Sequence, residues 1–201
     1  MENIEQLIEE IRQFAKSAEK EKRYEHSVRV AETAEYMCGL YGLDRRTGYL
    51  AGMAHDICKN YSDEEMIALA LEDGDPISDV ERLKPSLLHG RAAAVLLKKK
   101  FGIMDADVIQ AVSCHTLGGP DICRLSKIVY SADKIEPGRP QSTDEYRSSL
   151  FSLSLDELTL RVVEENMEYL KERGKKIAPS SKIFHQSLKE SVEKAKSPVV
   201  R

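Results

Sequence analysis

The 201-residue chain has no apolar run long enough to cross a bilayer, no C-x-x-C pair, no internal repeat, no low-complexity tract and no persuasive strand pattern. Its one compact apolar run, Ala92 to Leu97, is far shorter than the ~20 residues a spanning helix needs, so no membrane role is expected. The spacing of its four cysteines, Cys38, Cys58, Cys114 and Cys123, suggests neither a disulfide framework nor a zinc knuckle. Met1-Glu2-Asn3-Ile4-Glu5 carries no signal-peptide pattern, which predicts a reducing, cytoplasmic setting. An excess of basic charge is also missing: 30 Lys and Arg face 34 Asp and Glu, for a net charge of −4. Such a chain is not a general nucleic-acid binder, although a local basic pocket for a small phosphate ligand remains open.

What is present is a soluble globular composition, 41% hydrophobic and 32% charged, in a length that suits one domain. Apolar residues recur at helical spacing almost throughout, and the fold class expected is all-α. Residues 2–19 carry Ile4, Leu7, Ile8, Ile11 and Phe14 at spacings of three and four. In residues 23–41 the stripe Val30, Ala34, Met37 and Tyr41 extends back one turn to His26. Asp44 is a suitable N-cap for a largely apolar, central helix running to about Lys59. Capping boxes at Ser62 to Glu65 and Ser154 to Glu157 open two more helices, through Leu71 and up to Gly174. Further helices are predicted from Pro85 or Ser86 through Lys100, from Asp105 through His115, over 122–135 and over 180–196. Pro137 to Thr143 reads as a loop, and Ser197 to Arg201 as a fraying tail.

Against this helical background the histidines stand out. The chain has five, and four of them fall in an ordered series with two aspartates: His26, His55-Asp56, His89, His115 and Asp133. His26 and His115 share faces with Val30 and Ala34, and with Val108 and Val112, so both should point inward. Asp133 follows Val129 by one turn. A buried aspartate is costly unless it is paired or bound to metal, and few cations stand near these residues along the chain. A divalent or trivalent metal explains the whole set. Imidazole and carboxylate suit zinc, manganese, cobalt and iron. Six ligands without a thiolate exceed one tetrahedral zinc and fit a two-metal site with one bridging carboxylate.

His26, His55-Asp56 and Asp133 resemble the H…HD…D pattern of the HD superfamily of metal-dependent phosphohydrolases. Arg23 to Ala31 (R-Y-E-H-S-V-R-V-A), Leu50 to Lys59, Leu88-His89-Gly90, His115-Thr116 and Ala132 to Arg139 (A-D-K-I-E-P-G-R) are similar to the YqeK family within it. The resemblance spans roughly residues 20–190 and implies an HD-type helical bundle over 1–201. The core would occupy about 20–140, with C-terminal helices at about 154–196 packed on it. It implies symmetrical hydrolysis of diadenosine tetraphosphate to two ADP by a metal-activated hydroxide, at a dinuclear, usually iron-containing site. The implied ligands are His26, His55, Asp56, His89, His115 and Asp133, with Asp56 as the bridge. Lys59 and Arg139 are the implied phosphate contacts, grouped with Asp56 as catalytic residues. The chain departs from the usual family residues at Ser126, Leu117 and Gln186, positions outside the ligand set.

The remaining polar residues have blander readings. Arg23 and Arg29 can pair at the surface with Glu25 and Glu32, Lys98 to Lys100 make a solvated helix end, and Cys58 and Cys114 pack as small apolar groups. His185 belongs to no motif. Two functional alternatives stay open. One is an HD phosphohydrolase acting on another nucleotide, such as a nucleoside monophosphate, a deoxynucleoside triphosphate or an alarmone. The other is a nucleotide-sensing module without turnover. The apolar stripes of the first and last helices allow either intramolecular packing or a homodimer.

Overall fold

The computed structural model describes residues 2–196, and among these every regular element is helical. The tail expected to fray, Ser197 to Arg201, lies outside the described residues. The first helix, α1 (Glu2–Ala18), buries Ile8, Ile11 and Ala15, the same stripe the periodicity marks. Next, α2 (Glu21–Leu40) buries His26, Val30, Ala34 and Met37 along one face. Helix α3 (Arg45–Ala54) starts at Asp44, whose carboxylate accepts the Thr47 amide. It packs against α1 and α2, and lies at the centre of the bundle.

The close approach of α2 and α3 depends on two glycines one turn apart. A Cβ on Gly52 would fall 2.7 Å from Ala31 Cα, and one on Gly48 2.9 Å from the Ala34 carbonyl oxygen. The two helix backbones therefore touch where a larger residue would hold them apart.

Ser62 closes its capping box over α4 (Asp63–Leu71). A short helix that periodicity does not reveal, α5 (Asp79–Leu83), opens with another capping box at Ser78. A 3-10 turn over Pro85–Leu88 leads into α6 (His89–Phe101), which stops at Gly102 with φ +64°. Helix α7 (Ala106–Cys114) is capped by Asp105, and α8 (Arg124–Ile135) by Cys123. Both pack on α3. A second unexpected helix, α9 (Asp144–Phe151), follows the Pro137–Thr143 loop. Helix α10 (Leu155–Glu172) then lies along α8, and α11 (Pro179–Lys196) along α10. Phe184 of α11 meets the buried Tyr130 of α8 edge to face at 5.2 Å. Among the described residues no helix is long and apolar enough to cross a membrane.

One boundary differs in a way that matters. The third helix was expected to run to about Lys59, but it ends at Ala54. His55 Nδ1 lies 2.7 Å from the Gly52 carbonyl, an oxygen that a continuing helix would use, and the chain leaves in tight turns from His55 to Asn60. His55 and Asp56 therefore sit on the end of a buried helix, where adjacent residues can face one point.

Candidate metal centre

Five elements deliver six side chains to one place. His26 comes from α2, His55 and Asp56 from the turn after α3, His89 from the start of α6, His115 from the residue capping α7, and Asp133 from the last turns of α8. The four histidines and Asp56 are buried, and Asp133 keeps 16% side-chain exposure. The structure brings together every residue that the sequence marks as a ligand.

The donor atoms form two groups that share Asp56. Asp56 Oδ2 lies 3.6 Å from His55 Nε2 and 3.9 Å from His26 Nε2. Asp133 Oδ1 joins this side, at 3.1 Å from His26 Nε2 and 3.8 Å from His55 Nε2. Asp56 Oδ1 faces the other way, 2.9 Å from His89 Nε2 and 3.6 Å from His115 Nε2. Donors each about 2 Å from a shared cation stand roughly 3–4 Å from one another, which is the spacing seen.

The hydrogen bonds around the rings test whether these residues fit a metal. His55, His89 and His115 each place Nδ1 against the carbonyl three residues earlier, on Gly52, Ser86 and Val112, at 2.7, 2.6 and 2.7 Å. His26 places Nδ1 3.1 Å from Glu136 Oε1. Only a protonated Nδ1 makes these contacts, so in each neutral ring the Nε2 lone pair faces inward. Those lone pairs are poorly satisfied: only Lys59 Nζ, 3.3 Å from His89 Nε2, and Thr116 Oγ1, 3.4 Å from His115 Nε2, offer a donor to any of them. His26 Nε2 and His55 Nε2 are buried without a hydrogen-bond partner, and the Nε2 atoms of His89 and His115 face each other at 2.9 Å. Paired lone pairs beside carboxylates repel unless a cation lies between them. The donor set therefore fits a metal site.

Protonation follows burial and neighbours. Burial lowers the His55 pKa to about 3 and keeps the ring neutral. Burial opposes ionisation of Asp56, yet its carboxyl is held well below the usual range. Burial alone would lower His26, yet Asp133 and Glu136 on either side of its ring raise it. Cys58 and Cys114 supply no thiolate, because burial pushes their thiols up to about 12 and about 11.

Several sequence expectations change here. Cations are not scarce around the aspartates. Arg23 Nη1 donates to Asp56 Oδ2 at 2.7 Å, Arg139 Nη2 to Asp133 Oδ1 at 2.7 Å, and Lys134 Nζ to Asp133 Oδ2 at 3.2 Å. Lys59 Nζ lies over the His89 ring, 3.1 and 3.3 Å from its nitrogens. Of these only Arg23 is distant along the chain from its aspartate; Lys134 is the neighbour of Asp133, and Lys59 and Arg139 stand within six residues of Asp56 and Asp133. Arg23 pairs with Asp56 rather than Glu25, and Arg29 pairs with Glu136 at 2.6 Å rather than Glu32. Glu136 itself is the residue the sequence reading missed. It is 1% exposed, and its Oε2 accepts from both Arg29 and the Gly138 amide. A glutamate ending a helix just before Pro-Gly was the available signal. His185 sits away from the cluster and pairs with Glu164 at 3.0 Å, and Lys99 pairs with Glu72 at the exposed end of α6.

Comparison with known proteins gives the family. A protein from Staphylococcus aureus named bis(5'-nucleosyl)-tetraphosphatase, symmetrical, is 33% identical over 81% of this chain and 84% of its own length. A Bacillus subtilis protein of the same name is 30% identical over 80% and 86%. A crystal structure from Clostridium acetobutylicum, described as a predicted HD superfamily hydrolase involved in NAD metabolism, superposes with a TM-score of 0.84. It shares 30% identity and covers 91% of this chain and 97% of that one. The model of the HD domain matches residues 23–138, from the start of the R-Y-E-H-S string through Gly138 and across all six clustered side chains, and the chain belongs to that family.

Proposed function

We propose that this protein hydrolyses diadenosine tetraphosphate symmetrically to two ADP, at a dinuclear metal site bridged by Asp56. One observation carries the reading: four imidazoles, each fixed through Nδ1, aim their Nε2 atoms at the two oxygens of a single buried carboxylate, two of them with no hydrogen-bond partner. The names of the relatives from S. aureus and B. subtilis support the substrate and the symmetrical cut. His26, His55, Asp56 and Asp133 would hold one metal, and Asp56, His89 and His115 the other. Iron is the metal the resemblance favours, and manganese, cobalt or zinc suit the same donors. Bound metals supply Lewis acidity, lowering the pKa of water and offsetting phosphate charge.

The chain's own residues do the rest. Arg23, Lys59 and Arg139 edge the centre, and each can neutralise charge on the polyphosphate bridge as it is cut. Arg139 is further braced by its Nε, which donates to the Asp133 carbonyl at 2.8 Å. No general acid is assigned, because a nucleoside diphosphate is already a fair leaving group. Residues 1–201 are read as one HD domain, with the core at about 20–140 and the helices at 154–196 packed on it. The four cysteines, all free thiols, support a cytoplasmic setting.

The test uses protein purified without chelator. Bound metal is quantified, and the products from diadenosine tetraphosphate are resolved by ion exchange. Two metals per chain and ADP alone are expected. ATP with AMP would reject the symmetrical cut, and metal without turnover would favour another nucleotide or a sensing role. Asp56→Ala should lose both metal and activity, and a variant that kept both would refute the bridge.

A further inference from the structure

His115 sits at the end of α7, and the last carbonyls of a helix need partners from outside it. Two other helices supply them here. Lys134 Nζ of α8 donates to the His115 carbonyl at 3.1 Å, and Ser181 Oγ of α11 donates to the Leu117 carbonyl at 2.7 Å. The turn closes on itself as well, with the Gly118 amide donating to the Cys114 carbonyl at 2.8 Å. Gly118 takes φ +68°, and a Cβ there would run into the Phe184 ring. The ring therefore rests directly on the backbone of the turn. Ser181 and Phe184 are both buried, and Phe184 is held in place by Tyr130, whose hydroxyl accepts from Asn166 of α10 at 3.4 Å.

This bracing falls on one half of the metal centre. His115 Nε2 lies 2.9 Å from His89 Nε2 and 3.6 Å from Asp56 Oδ1, in the donor group opposite His26, His55 and Asp133. Its ring is fixed to its own helix through Nδ1 and the Val112 carbonyl, so the aim of Nε2 follows the placing of the last turn of α7. Beyond that turn, residues 116–123 form no helix, and Gly118, Gly119 and Pro120 interrupt them. We infer that α11 is a lock on the metal position made by Asp56, His89 and His115, with Ser181 and Phe184 as its positioning residues. The inference rests on the two-metal reading above. It gives α11, which lies outside the residues matched by the HD domain, a part in the centre that the ligand motifs do not disclose. The two metal positions should then fail separately: loosening α11 weakens one and leaves the other as it was.

The test is a titration of metal-free protein with Co2+, followed by visible absorption. His89→Ala marks the binding phase that belongs to the locked position. Ser181→Ala should weaken that phase about ten-fold, the low end for loss of a ligand's outer partner, and leave the other phase unchanged. Ser181→Thr keeps the hydroxyl and should restore wild-type binding. Phe184→Leu keeps apolar bulk without the ring and should weaken the same phase. Hydrogen exchange of the metal-free protein gives a second reading. The Gly118 amide should exchange about ten-fold faster in Ser181→Ala, while the amides of residues 55–60 keep their wild-type rates. Unchanged binding, equal weakening of both phases, or a threonine variant that does not recover would overturn the lock. A wild type with a single binding phase would refute the two-metal reading. Exchange would then decide the lock alone, with faster exchange at Gly118 only supporting it and unchanged exchange overturning it.

Discussion

Glu136 offers the sharpest test of how the metal centre is held. It touches no ligand position of a metal itself. Its Oε1 lies 3.1 Å from His26 Nδ1, while Oε2 takes the Arg29 guanidinium at 2.6 Å and the Gly138 amide at 2.5 Å. Glu136→Ala would therefore release the His26 ring, leave Arg29 without its partner and strip an amide of its acceptor. Loss of a carboxylate that orients a ligand histidine lowers metal affinity by roughly 10–100-fold, or about 1.4–2.7 kcal/mol. Stability should fall as well. Breaking a fully buried ion pair costs about 3–5 kcal/mol, and Arg29 keeps 33% side-chain exposure, so about 2–4 kcal/mol is the expected range.

The two effects are separated by measuring them separately. Metal affinity is read by competition with a chromophoric chelator, and stability by urea denaturation of the metal-free protein. Glu136→Gln keeps the shape but can accept at only one oxygen, so it should fall between wild type and alanine in both. A glutamine variant that loses stability but binds metal as tightly as wild type would sink the orienting role and leave Glu136 a brace for Arg29 alone. The pH dependence adds a second reading. Burial opposes the charge on Glu136, but His26, Arg29 and the Gly138 amide outweigh it and lower the pKa from 4.5 to about 2. The unfolded chain therefore binds this proton first as pH falls. The stabilisation is complete above 4.5 and disappears toward pH 2, and the pKa difference corresponds to about 3 kcal/mol. The advantage of wild type over Glu136→Gln should shrink across that window.

Two further outcomes follow from buried groups outside the ligand set. Burial raises Glu19 to about 7 although the Ser27 hydroxyl donates to both its oxygens, so the folded state holds this proton more tightly than the unfolded chain and loses stability as pH rises from 4.5 to 7. Glu19→Gln should remove up to about 3 kcal/mol of that loss, so melting curves of the two proteins that stay parallel between pH 5 and 8 would contradict it. Gly52→Ala would drive a methyl to 2.7 Å from Ala31 Cα, costing about 1–3 kcal/mol, and would shift the carbonyl that fixes His55. Denaturation and metal titration should both register the change, and a variant with native values in both would show that α2 and α3 are not in backbone contact.

The candidate ligand set is legible in the sequence because its residue types are improbable at buried helical positions. His26 continues the stripe of Val30, Ala34 and Met37, and all four are buried on α2. Most helix starts are legible for a similar local reason, since Asp44, Ser62, Asp105 and Ser154 all cap as their spacing predicts. Helix α5 escapes because one turn of five residues carries no periodicity, although its capping box at Ser78 was available. The early end of α3 escapes for a different reason. Composition favours helix through Lys59, and a single side-chain contact from His55 to the Gly52 carbonyl accompanies the change of course.

Lys59 and Arg139 were expected at the centre, but the pairing of Arg23 and Arg29 there could not be read from spacing, and the arrangement of these cations bears on how binding is organised. Arg23 lies 33 residues from Asp56, and Arg29 lies 107 from Glu136. Arg23 and Arg139 donate to Asp56 Oδ2 and Asp133 Oδ1, the very oxygens that face His26 and His55. Each guanidinium has five N–H donors in a planar fork, so engaging a carboxylate leaves donors to spare for a phosphate oxygen. Arg23 and Arg139 are also 35% and 36% exposed in their side chains, whereas the carboxylates they hold are 4% and 16% exposed. Against the cost of burial, Arg139 helps Lys134 and the histidines keep Asp133 ionised, and both guanidinium groups lie where an incoming polyphosphate would meet them first. Lysine could supply the charge but not the planar fork, which makes the guanidinium geometry, rather than positive charge alone, the property these two positions need.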